Sequence, residues 1–233
     1  MLGRRTAGTR LAAILLSGAA FAGCASAPPG PPERVVYLAL GASDAVGMGA
    51  KPITRGYVYR ITDALDERLD LVLPANLGIP GANAEQLDGA LELFFETPVE
   101  PDLVTVWTGV NDVIRGEDVD DFEDELEAIF DRLRDRSDGV IVIANIPDLT
   151  ELPRFREDPD EDVTRERIEE FNEVIAEQAD DYDALVVDLY DEPIEDDLVR
   201  DEDGFHPNNE GHRRIAEQFL NAILPALGLG PEA

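Results

Sequence analysis

The chain has 233 residues, 44% of them hydrophobic, which suits one α/β domain with a sizeable core and is short for two. Nineteen basic residues against 51 acidic ones give a net charge of −32, and so strong a polyanion excludes nucleic acid and anionic lipid surfaces as partners. The acidic runs at 117–121 and 192–197 read as solvated helix faces rather than metal ligands.

Residues 1–23 have the pattern of an export signal: Arg4, Arg5 and Arg10 form a basic stretch ahead of an apolar run at 11–22. That run is shorter than the ~20 residues a helix needs to cross a bilayer. It ends in Phe21-Ala22-Gly23-Cys24, which resembles a bacterial lipobox, whose cysteine is lipidated after cleavage. Cys24 is the single cysteine of the chain, and an exported protein has little use for one unpaired thiol. We therefore expect an exported cell-envelope lipoprotein held to a membrane through Cys24, with an ordinary cleaved signal and an incidental cysteine as the alternative. Residues 24–33 include the run ASAPPGPP, which cannot pack a core and reads as an extended tether. The folded domain is then 34–233.

From residue 35 onward, short Val/Leu/Ile-rich runs alternate with helical patterns. Strands are expected at 35–40, 71–74, 103–107, 140–144 and 185–189. Helices are expected at 58–69, 84–95, 122–134, 165–179 and 209–227. In the third helix, Phe122, Leu126, Ile129, Phe130 and Leu133 form one apolar stripe on an otherwise acidic surface. Near-continuous apolar strands are the mark of a sheet buried on both faces. Five of them alternating with helices imply right-handed crossovers and a three-layer α/β/α sandwich around a five-stranded parallel sheet. In such sheets reactive groups collect beyond the carboxyl ends of the strands. The loops to inspect are therefore 41–49, 76–83, 108–112, 145–149 and the segment after Asp188.

The first of these reads Gly41-Ala42-Ser43-Asp44. Its small residues clear the strand end, so Ser43 is expected to be exposed there. A serine hydroxyl becomes a nucleophile only when a base takes its proton, and the chain holds just two histidines. His206 lies in Asp203-Gly204-Phe205-His206-Pro207-Asn208, where an aspartate three residues upstream can fix the imidazole tautomer. His212, about one turn into the last helix, reads as structural or solvent-facing. Acyl transfer also needs donors aimed at the developing oxyanion. The N–H of Ser43, the N–H of Gly81 and the amide of Asn111 are the candidates.

Taken together, these residues resemble the SGNH or GDSL hydrolases. Gly41-Ala42-Ser43-Asp44 is similar to that family's first block, although alanine stands where an aspartate is often found. Gly81 fits the second block, Gly109-Val110-Asn111-Asp112 the third, and Asp203-Gly204-Phe205-His206-Pro207 the last. The resemblance implies a flavodoxin-like fold and a serine esterase working through an acyl-enzyme. Ser43, Asp203 and His206 would be its catalytic residues, and Ser43, Gly81 and Asn111 its oxyanion hole. It implies no cofactor and no metal, and the chain is read as a monomer acting on a small ester. The long connection at 145–160, with Leu149, Leu152 and Phe155, is expected to overhang the site and favour short to medium acyl chains. A carbohydrate O-acetylesterase, a non-catalytic ligand-binding lipoprotein and a metal-dependent phosphoesterase remain as other readings.

Overall fold

The computed structural model describes residues 32–230. The export segment 1–23 and the lipidation candidate Cys24 lie outside the described residues. In chain order the elements are β1 (Arg34–Gly41), α1 (Ser43–Val46), α2 (Tyr57–Asp66), β2 (Leu71–Gly78), α3 (Ala84–Phe94), β3 (Leu103–Trp107) and α4 (Val110–Ile114). They continue with α5 (Val119–Arg134), β4 (Val140–Ala144), α6 (Pro153–Glu157), α7 (Arg165–Asp181), β5 (Leu185–Val187) and α8 (Asn209–Ala226). All strand pairs are parallel, in the spatial order β2-β1-β3-β4-β5. The expected three-layer α/β sandwich is what the chain forms.

Two-residue periodicity explains why the three central strands, β1, β3 and β4, are dry on both faces. Side chains along a strand point alternately up and down. Leu38 and Leu40, Val104 and Val106, Ile141 and Ile143 enter one core with α3, α5 and α7. Tyr37 and Ala39, Leu103 and Trp107, Val142 and Ala144 enter the other with α2 and α8. The apolar stripe of α5 is completely buried, as the heptad-like spacing predicts. Each such side chain contributes about 1.5–3 kcal/mol by leaving water.

Several element ends differ from the sequence expectation, most of them for a local reason. β2 runs past Pro74 to Gly78, because an edge strand tolerates a residue without an N–H. β5 stops at Val187 instead of residue 189, since the side-chain oxygen of Asn145 takes the N–H groups of Leu189 and Tyr190. α5 begins at Val119, three residues early, where Asp118 accepts the N–H of Asp120 as a cap. α2 ends at Asp66, short of the expected 69. Among the described residues no helix is long and apolar enough to cross a membrane.

Candidate active site

Because β1 lies between β2 and β3, the loops following these three strands meet at one edge of the sheet. This is where the strand order reverses, the position at which open α/β sheets present a crevice. Ser43 begins α1 immediately after β1, so its N–H belongs to the first helical turn, which has no intrahelical acceptor. Contrary to the expectation of an exposed serine, Ser43 is only 6% accessible. An imidazole packed over its hydroxyl accounts for this: His206 Nε2 is 3.1 Å from Ser43 Oγ.

His206 arrives from the far end of the chain on a strap that folds back on itself. Val199 and Pro207 form an antiparallel bridge. Within it the Arg200 N–H donates to His206 O (2.9 Å), the Gly204 N–H to Arg200 O (2.8 Å), and the Asn208 N–H to Leu198 O (2.9 Å). Gly204 turns the strap in the left-handed region (φ 59°), and a Cβ there would come within 2.9 Å of the Arg154 nitrogen. Only glycine serves that bend. The ring of Phe205 stands edge-on to those of Phe155 and His206, which couples α6 to the strap.

Asp203 orders the strap and the imidazole together. Its Oδ1 accepts the N–H groups of Phe205 (3.0 Å) and His206 (2.9 Å). Its Oδ2 accepts from His206 Nδ1 and from Arg200 Nη1, both at 3.0 Å. With Nδ1 as donor, Nε2 is left to accept the Ser43 proton. Burial alone would raise the Asp203 carboxyl, but the donated backbone and ring hydrogen bonds outweigh it and hold the group below its ordinary range.

The two remaining site candidates, Gly81 in the β2–α3 loop and Asn111 in the first turn of α4, sit on segments that are tied to each other. Asn111 Nδ2 donates to Ala82 O (2.8 Å), and the Arg115 guanidinium donates to Gly81 O. One N–H of the Asn111 amide remains beyond that bond. Gly81 adopts φ 77°, and a Cβ added there would meet no atom within 4 Å. Its glycine is required by the backbone angle, while the space in front of it is open. The Ile79 N–H donates to Gly41 O (3.0 Å), pinning this loop to the end of β1.

Two residues of the site went unrecognised in the sequence. Arg200 is one, although its i,i+3 spacing to Asp203 is visible in a strap-like turn. The other is Asp44, directly after the serine. Its Oδ1 is buried without a hydrogen-bond partner among the described residues. Burial pushes its carboxyl up to about 6, against the opposing pull of His206. Asp44 also lines a cavity of about 120 Å³, with Trp107, Val110, Leu149, Leu152 and Phe205 among its other walls. The cavity thus touches sequence neighbours of Ser43, Asn111 and His206, while those three residues do not line it.

His212 proves structural and wholly buried, not solvent-facing. Its Nδ1 accepts the Tyr57 N–H (3.3 Å) and its Nε2 donates to Met48 O (2.9 Å). Burial lowers its pKa from 6.5 to about 4, so falling pH protonates the unfolded chain first. Its stabilising contribution is present above pH 6.5 and is lost as pH falls from there through 4. Between about pH 7.5 and pH 5 the loss should reach about 2 kcal/mol. Denaturant unfolding of the parent and of His212→Gln at both pH values measures it; a difference between them that is independent of pH would refute the assignment.

The model of the GDSL-like Lipase/Acylhydrolase family matches residues 16–214. No curated protein matches the chain by sequence. Among solved structures, the psychrotrophic esterase EstA from Pseudoalteromonas sp., inhibited by monoethylphosphonate, superposes with a TM-score of 0.66 at 20% identity, over 82% of this chain and 97% of that one. The lipase/acylhydrolase from Enterococcus faecalis gives 0.66 at 22% identity, over 81% and 95%. The acetyl xylan esterase AlAXEase gives 0.62 at 21% identity, over 81% and 100%.

Proposed function

Since the chain belongs to the GDSL-like lipase/acylhydrolase family, we propose that it is a serine esterase that cleaves carboxylic esters through an acyl-enzyme on Ser43. The observation that carries this reading is the continuous relay from Ser43 Oγ through His206 to Asp203, with links of 3.1 and 3.0 Å. His206 Nε2 takes the serine proton as Oγ attacks the acyl carbon, and Asp203 stabilises the imidazolium that results. The tetrahedral oxyanion is met by the N–H groups of Ser43 and Gly81 and by the free N–H of Asn111. Collapse expels the alcohol, which collects the proton from His206. Water, deprotonated by the same imidazole, then attacks the acyl-enzyme and releases the acid.

The cavity beside the site supports acyl groups of short to medium length. Its walls are largely apolar, and the Leu149 and Leu152 side chains come from the connection expected to overhang the site. A small acyl pocket next to a sugar-binding surface is the second reading, favoured by the likeness in fold to an acetyl xylan esterase. A series of p-nitrophenyl esters, run on the parent and on Ser43→Ala, decides. The parent should be fastest between butyrate and octanoate, and the variant should show no turnover with any ester. Turnover of acetate alone would favour the second reading, and equal activity in the variant would remove Ser43 from the mechanism.

A further inference from the structure

Away from the serine, a group of carboxylates gathers beneath the loops that carry Gly81 and Asn111. Asp112, Glu117 and Glu125 each offer an oxygen, and the three oxygens all lie within 4.8 Å of one another. They come from three places in the chain: α4, the α4–α5 connection and α5. All three meet the start of α3. Asp112 Oδ1 accepts the Ala84 N–H (2.9 Å), Glu125 Oε2 accepts the Glu85 N–H (3.0 Å), and both oxygens of Glu117 accept from Asn83 Nδ2 (2.9 and 3.2 Å).

These bonds leave one group conspicuously without a partner. Asp112 is fully buried, yet its Oδ2 has no hydrogen-bond partner among the described residues. A buried carboxylate oxygen in that state is costly. Basic groups supply little compensation: the Arg115 guanidinium stands 3.7 Å from Glu117 Oε1, and Arg167 donates to the Glu117 backbone oxygen. Among the described residues neither Asp112 nor Glu125 forms an ion pair.

We propose that Asp112, Glu117 and Glu125 bind a hard divalent cation, calcium above all, which clasps the two oxyanion loops to the start of α3. An all-oxygen donor set selects calcium or magnesium over softer metals. Calcium contacts its ligands at about 2.3–2.6 Å, so oxygens up to 4.8 Å apart can share one ion without backbone movement. Calcium's tolerance for irregular geometry suits three carboxylates completed by water better than magnesium's strict octahedron does. The ion takes no part in acyl transfer. It neutralises the carboxylates and fixes Asp112, next to Asn111, against the helix that follows Gly81 and Ala82.

The test is calorimetric titration of chelator-stripped protein with calcium chloride. Potassium chloride at about 0.5 M screens diffuse attraction to the −32 charge. One equivalent of calcium should bind to the parent and to the exposed control Asp197→Asn, and none to Asp112→Asn or Glu125→Gln. The thermal midpoint of the parent should rise by about 5 °C at a hundredfold excess over the dissociation constant, and that of Glu125→Gln should not. If Asp112→Asn fails to fold, the half-buried Glu125→Gln carries the comparison alone. No saturable uptake up to about 5 mM, beyond the weakest range of calcium modules, would overturn the proposal. Uptake unchanged in the folded variants would do the same. Neither outcome bears on the esterase reading, which the ester series tests separately.

Discussion

His206→Ala is expected to lower kcat for the best p-nitrophenyl ester by roughly 10⁶-fold, the scale on which removal of one member of a serine relay acts. Among the described residues the hydroxyl of Ser43 has no other acceptor in place: its contact is with His206 Nε2. The second histidine cannot deputise, because both its nitrogens are engaged, with the Tyr57 N–H and the Met48 carbonyl. Asp44 is adjacent in sequence, but among the described residues the Ser43 hydroxyl is hydrogen-bonded to His206 Nε2 and Asp44 Oδ1 has no hydrogen-bond partner. Steady-state kinetics paired with a thermal melt checks the result. A folded variant that keeps activity to within about a hundredfold would mean that His206 is not the base.

Asp203→Asn should reduce kcat by roughly 10⁴-fold while leaving the fold nearly intact, as when the acid of such a relay is made neutral without changing its shape. The reason lies in the two faces of the carboxylate. Oδ1 holds the Phe205 and His206 N–H groups, and an amide oxygen in its place can accept both. Oδ2 faces His206 Nδ1 and Arg200 Nη1, two donors that an NH₂ group cannot serve. The ring would then carry its proton on Nε2, pointing a donor at a hydroxyl that needs an acceptor. Melting temperature and kcat measured on one preparation separate the effects. A large fall in the first with only about a tenfold fall in the second would make Asp203 a strap residue alone.

Much of the fold is legible in the sequence. β3 and β4 have the bounds read from their apolar runs, because strands dry on both faces leave an unbroken signal. The meeting of Asp203 with His206 was legible by scarcity: with two histidines in the chain, only one has an aspartate three residues upstream. What the sequence could not reveal is burial. Asp44 reads as an ordinary polar neighbour of Ser43, and only the packing around it isolates its oxygen. Asp112 reads as the end of the Gly109–Asp112 block and Glu117 as the start of an acidic surface run, yet the fold brings both close to Glu125 and the start of α3. The exposed serine was a misjudgement of the same kind, since its cover comes from 163 residues away.

The strap from Leu198 to Asn208 carries Asp203 and His206 on one self-bonded piece of backbone, whereas Ser43 stands at the start of α1, just beyond the sheet. Lifting the strap would therefore leave the imidazole still gripped by its carboxylate while parting it from the hydroxyl. Such a molecule would be switched off but not unravelled, and simple reseating of one hinged piece would revive it.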